Sequence, residues 1–142
     1  MDFRVEHCKV GFAEIVKRGG CKLALCRRHV DSFFSNEYQS KVIESVVMGI
    51  GVGQIVLDIR DDENWVTVDG AARIAAMTRF VLGKHTKFAL QDLDLWPEAN
   101  GKFFEDLSRP ERRLLENYQF DALLIYPGTS NQVVESIRNR FA

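Results

Sequence analysis

The order of apolar patterns along the chain predicts an α+β domain. Helix-period stripes and strand-length apolar runs are intermixed rather than segregated. Two such runs, at 55–59 and 65–69, stand close enough to pair as a hairpin. A third, at 120–126, lies between two helical segments. With 142 residues, 46% of them hydrophobic, the chain suits a single compact domain, 1–142, with one core.

The N-terminus, MDFRVEHCKV, is charged and has no long apolar segment. A short helix is predicted over 10–18, stopped by Gly19-Gly20. CKLALC, 21–26, alternates as a strand does, and a polar stretch, RRHVDSFFSNEY, follows. Residues 39–48 read as a helix with Val42, Ile43, Val46 and Val47 as its apolar stripe. Gly49 ends it, and Gly51 and Gly53 make the next turn. IVLDI and WVTVD are the two hairpin strands, joined by a charged turn at 60–64. A helix runs over 71–82 to Gly83, with Ala75, Ala76, Met77, Phe80 and Val81 suited to packing. Short strands are predicted near 86–90 and 93–95. Ser108, Pro110 and Glu111 form a capping box with proline in the first turn, so a helix follows to about 117. FDALLIY is a strand, and a last helix starts at Thr129 or Ser130. Val42, Ile43, Val46, Ile55, Leu57, Val66, Val68, Ala76, Phe80, Leu123 and Ile125 are the expected core.

Charge narrows the function. Nineteen basic and 20 acidic residues give a formal charge of −1. Nonspecific DNA binding needs a basic excess, one cation per phosphate contact, so any nucleic-acid contact is local or weak, or supplied by a partner. Cys8, Cys21 and Cys26 make no disulfide framework and no zinc spacing, and are expected as buried, reduced thiols. His7, His29 and His85 show no paired spacing. No signal peptide or membrane span is visible, so the expected location is cytoplasmic, or the host cytoplasm or virion for a viral protein.

Chemistry concentrates in Trp65-Val-Thr-Val-Asp69-Gly70-Ala71-Ala72-Arg73. A strand ends in an acidic residue, glycine turns the chain and a helix begins. Unpaired N–H groups of a first helical turn suit a phosphate. Gly70 permits the tight turn and close approach of a ligand. Arg73 would bracket an anion, and Asp69 would bind a metal, orient a water or act as a base. The plainer alternative is an ordinary N-cap with a solvent-exposed arginine.

Longer stretches extend the pattern: QSKVIESVVMGIGVGQIVL at 39–57, WVTVDGAARIAAMTRFVLGK at 65–84 and NGKFFEDLSRPERRLLENYQFDALLI at 100–125. Over roughly residues 10–142 the chain resembles the N-terminal domain of GmrSD-type restriction endonucleases. That family reads L-I-E-S-I-L-x-G, a strand pair, D-G-Q-Q-R-L-x-x-L and N-G-x-x-F-x-x-L-P. The resemblance implies a ParB/sulfiredoxin-like fold with a small mixed sheet and flanking helices. It also implies binding or hydrolysis of a nucleoside triphosphate with Mg, and DNA cleavage in phage defence. The implied catalytic positions are Asp69, Arg73 and Glu44, the glutamate of the I-E-S helix. The implied phosphate-binding positions are Gly70, Ala71, Ala72 and Arg73, with Arg27 or Arg28 after the first strand. Glu44 has its own plain alternative, a solvated or capping helix glutamate.

The chain departs from the family at informative places. The two signature glutamines are Ala71 and Ala72, which cannot donate to a phosphate or hold a water. Val30-Asp31 stands near the place of the family's tryptophan. The family text continues into an R-x-N motif about where this chain reads RNRFA. Ala72 stands where sulfiredoxin carries its reactive cysteine, which excludes thiol chemistry at this loop. Cys26, beside Arg27 and Arg28, reads either as a thiol of lowered pKa or as a buried strand-end residue. Two functions follow. One is a catalytically degenerate interaction or assembly module, viral or mobile-element encoded, with a protein partner or a second copy. The other is a nucleotide- or DNA-phosphate-binding domain with weak NTPase or nuclease activity.

Overall fold

The computed structural model describes residues 3–19, 35–83 and 87–141. The fold is α+β, with a mixed four-stranded sheet and five α-helices among the described residues. These residues divide into two compact units. The first holds 3–19, 53–71 and 119–141, and the second holds 35–52, 72–83 and 87–118.

The first unit contains the sheet. Its strands are β1 (Val5–Gly11), β2 (Gln54–Asp58), β3 (Val66–Asp69) and β4 (Gln119–Ile125), in the order β1-β4-β2-β3. β1 and β4 are antiparallel, β4 and β2 parallel, and β2 and β3 antiparallel. The inner position of β2 explains its unbroken run: Ile55, Val56 and Leu57 are all buried, so alternation has no place there. The hairpin β2–β3 forms as its sequence predicts. Helix α1 (Phe12–Lys17) buries Phe12 and Ile15. Helix α5 (Asn131–Arg140) starts at Ser130, whose hydroxyl accepts from the Val133 amide. Its Val134 and Ile137 pack with Val56 and Ile125, and Val5, Val68, Leu123 and Val133 close the cluster's rim.

The second unit contains α2 (Asn36–Val47), most of α3 (Ala71–Leu82) and α4 (Arg109–Glu116). Ser35 caps α2 by accepting from the Tyr38 amide. The capping box at Ser108 and Glu111 is present in both directions. Phe80 packs near Phe88 and edge-on to Phe104, at centroid distances of 5.5 and 6.0 Å.

Several expectations need correction. Residues 5–11 are a strand that the sequence does not announce. β1 leaves Glu6, His7, Cys8 and Lys9 exposed, so no apolar alternation marks it, and the predicted helix at 10 starts only at Phe12. Residues 87–90 and 93–95 are not strands. Leu90 exchanges backbone bonds with Lys102 and Gly101 without a ladder forming, while the amides of Gln91 and Leu93 go to side chains, Ser40 Oγ (3.1 Å) and Asn100 Oδ1 (2.9 Å). Eight of the eleven expected core residues are buried, but Val68 and Leu123 are half-buried and Val66, on β3, is 37% exposed. Cys8 is a free thiol as expected, yet exposed rather than buried. Partial desolvation, with Glu6 beside it, raises its pKa above the ordinary value and disfavours the nucleophilic thiolate. The predicted strand 21–26, with Cys21 and Cys26, as well as Arg27, Arg28, His29, Val30, Asp31 and His85, lie outside the described residues.

Candidate functional site

β3 ends at Asp69 and α3 begins at Ala71, the strand–glycine–helix order read from the sequence. Asp69 is half-buried and faces Val56 in the ladder, where the β2–β3 register shifts at Val56/Leu57. Gly70 turns the chain at φ +100°, a conformation that side-chain-bearing residues rarely adopt. Gly70 and Ala71 are buried, Ala71 to 9% exposure, while Ala72 and Arg73 are half-buried. Burial withdraws the Gly70–Ala71 part of the loop from solvent, where an incoming phosphate would meet it.

Arg73 has an architectural partner. Its Nη1 donates to the Val52 carbonyl at 2.7 Å. The Val52 amide in turn donates to the Tyr118 hydroxyl at 3.2 Å. The glycine turn after α2 is therefore pinned at both polar groups of Val52. Gly51 in that turn has φ +82°, and its missing Cβ would lie 3.5 Å from the Tyr118 oxygen.

Glu44 is placed far more definitely than a surface helix glutamate. It is only 3% exposed, and its Oε2 accepts from the amides of Leu95 and Trp96, each at 2.9 Å. The carboxylate thus organises the irregular segment before the short 3-10 turn Pro97–Ala99. Lys41, one turn away, lies 3.9 Å from Glu44 Oε1 and bonds Asp94 at 2.7 Å. The lysine holds the Asp94 carboxyl below its ordinary pKa, chiefly through that hydrogen bond.

A further polar group was not singled out from the sequence. Gln39 is fully buried on α2, and its Nε2 donates to the Ala72 carbonyl at 3.4 Å. Arg79 donates to Gln39 Oε1 and to Asn36 Oδ1, and its guanidinium lies 4.8 Å from the Phe88 ring centroid. Burial lowers the Arg79 pKa. The readable signal was position: Gln39 precedes Val42 and Ile43 by three and four residues, so it shares their inward stripe.

Glu44 and Arg73 both belong to the second unit, but each is engaged with different backbone groups there. Asp69 belongs to the first unit. Among the described residues no group of three or more His, Cys, Asp or Glu side chains is arranged to hold a metal ion. No helix among them is long and apolar enough to cross a membrane. No family model matches the chain, and no curated protein or solved structure matches it.

Proposed function

We propose that the chain is a non-catalytic interaction or assembly module that keeps the architecture of a ParB/sulfiredoxin-like domain without its phosphate chemistry. The supporting observation is the state of the Asp69–Arg73 loop. Both signature glutamine positions are alanine, Gly70 and Ala71 are buried, and Arg73 is bonded to the Val52 carbonyl. Phosphoanhydride hydrolysis needs a positioned water and preorganised donors for developing charge. Two alanines supply neither. Loss of one such donor costs a factor of about 10² to 10³ in rate.

The test is turnover of ATP and GTP with magnesium by the natural chain, by Asp69→Ala and by Ala71→Gln with Ala72→Gln. The expectation is no turnover by the natural chain and no effect of Asp69→Ala. Robust turnover abolished by Asp69→Ala would establish the other reading, a phosphate-handling domain. That reading draws support from the retained order of Asp69, Gly70 and Arg73 at a strand–turn–helix junction.

A further inference from the structure

Helix α4 carries Arg109, Arg112 and Arg113, and spacings of three and four place the latter two beside Arg109. With Phe104 and Glu116 they line an open cleft of about 360 Å³. Arg109 and Arg113 are exposed and Arg112 is half-buried. None of the three makes a side-chain hydrogen bond or ion pair within the described residues. Like charges at these spacings disfavour a helix, so the cluster opposes the stability of α4 unless an outside anion meets it. Guanidinium forks match carboxylates and phosphates bidentately.

The chain itself carries a complementary group. Asp61, Asp62 and Glu63 are consecutive and exposed in the turn between β2 and β3. The turn is ordered from within: the Glu63 amide donates to Asp61 Oδ1 and the Asn64 amide to the Asp61 carbonyl, both at 3.1 Å. Asp62 bonds Arg18 at 2.6 Å yet keeps 77% of its side chain exposed. The Glu63 carboxylate has no partner within the described residues. An acidic turn ordered in advance loses little freedom on docking.

We propose that the arginine cleft of α4 receives the 61–63 turn of a second copy of this chain. Three carboxylates then meet three guanidinium groups. Phe104, half-buried in the cleft lining, supplies the apolar contact that a protein surface uses and a phosphate backbone does not. A net charge of −1 provides no field to gather a long polyanion. Cleft and turn are different surfaces, so the contact is heterologous and propagates into a ring or an open chain.

The inference rests on the module reading above, and the two fail separately, since turnover assays and self-association are independent measurements. Sedimentation of the natural chain at rising concentration in low salt should show growing mass, reversed by 0.5 M salt on the order expected from a Debye length of about 4 Å. Arg112→Glu with Arg113→Glu, and separately Glu63→Lys, should each weaken self-association by about tenfold or more. Mixed together, the two variants should associate again, because each supplies the sign the other lacks. Far-ultraviolet circular dichroism confirms that each variant is folded, and recovery in the mixture would itself exclude misfolding. A chain that stays monomeric at every concentration overturns the proposal. So does association that survives the arginine reversals, or an arginine-dependent shift of a labelled single-stranded DNA without self-association.

Discussion

Removing the Glu44 carboxylate leaves the amides of Leu95 and Trp96 without their acceptor, and Trp96 is buried. Glu44→Ala should therefore destabilise the protein by about 2–3 kcal/mol in urea titration. Glu44→Gln keeps an acceptor oxygen and should cost clearly less. Gly70→Ala tests the turn: alanine at φ +100° should cost about 1–3 kcal/mol, read as a lower melting temperature. Asp94 gives a pH signature. Its folded pKa lies below the ordinary 3.8, so its contribution is full above that value and is lost as the pH falls through the folded pKa. Lys41→Met should lessen the acid sensitivity of unfolding below about pH 4, and acid titration followed by circular dichroism checks it. At this scale the sequence was a partial guide. The I-E-S helix pointed to Glu44, but a carboxylate that clamps backbone amides fifty residues away has no local signature. Arg73 likewise reads the same in sequence whether its fork faces a phosphate or a carbonyl.

Elements were legible where local chemistry decides them. Ser108 with Glu111, and Gly70 before Ala71, fix the starts of α4 and α3 through neighbours alone. Ser108→Ala should cost about 1 kcal/mol, measured by thermal melting, because the Glu111 amide loses its cap. β1 was illegible for a physical reason. A strand at the outside of the sheet with four consecutive exposed residues needs no alternation, and its place is set by β4, more than a hundred residues later. The segment 87–96 failed in the opposite direction. Its apolar residues Phe88, Leu90, Leu93 and Trp96 are buried, which the aromatic text suggested. Side chains of α2 and Asn100 take the amides of Gln91, Leu93, Leu95 and Trp96, and Lys102 takes that of Leu90, so burial does not require a ladder.

Across the whole molecule, the α+β class follows from intermixed patterns that survive any single error in the elements. Function does not follow the same way, because a fold sets where a loop sits and not what the loop still does. Ala71 and Ala72 leave the first turn of α3 without a side-chain donor before Arg73. If the module reading holds, ATP and GTP at millimolar concentration should leave the melting temperature unchanged. A ligand present at 100 times its dissociation constant would add about 2.7 kcal/mol and move it visibly.

The two tryptophans of the chain fall one to each unit. Trp65 is 8% exposed, with the Arg18 guanidinium 5.9 Å from its ring centroid and its indole N–H without a hydrogen-bond partner among the described residues. Trp96 is 4% exposed, with its amide held by Glu44. Each unit therefore carries its own fluorophore, and Trp65→Phe and Trp96→Phe leave a single reporter in each case. α3 runs from Ala71 to Leu82, and the boundary of the units falls after its first residue. The urea midpoint of each single-tryptophan protein therefore reads the unit that holds its tryptophan, and Glu44→Ala should lower the Trp96 midpoint because the Trp96 amide loses its acceptor. A Trp96 midpoint that Glu44→Ala leaves unchanged would mean that the carboxylate does not hold this segment.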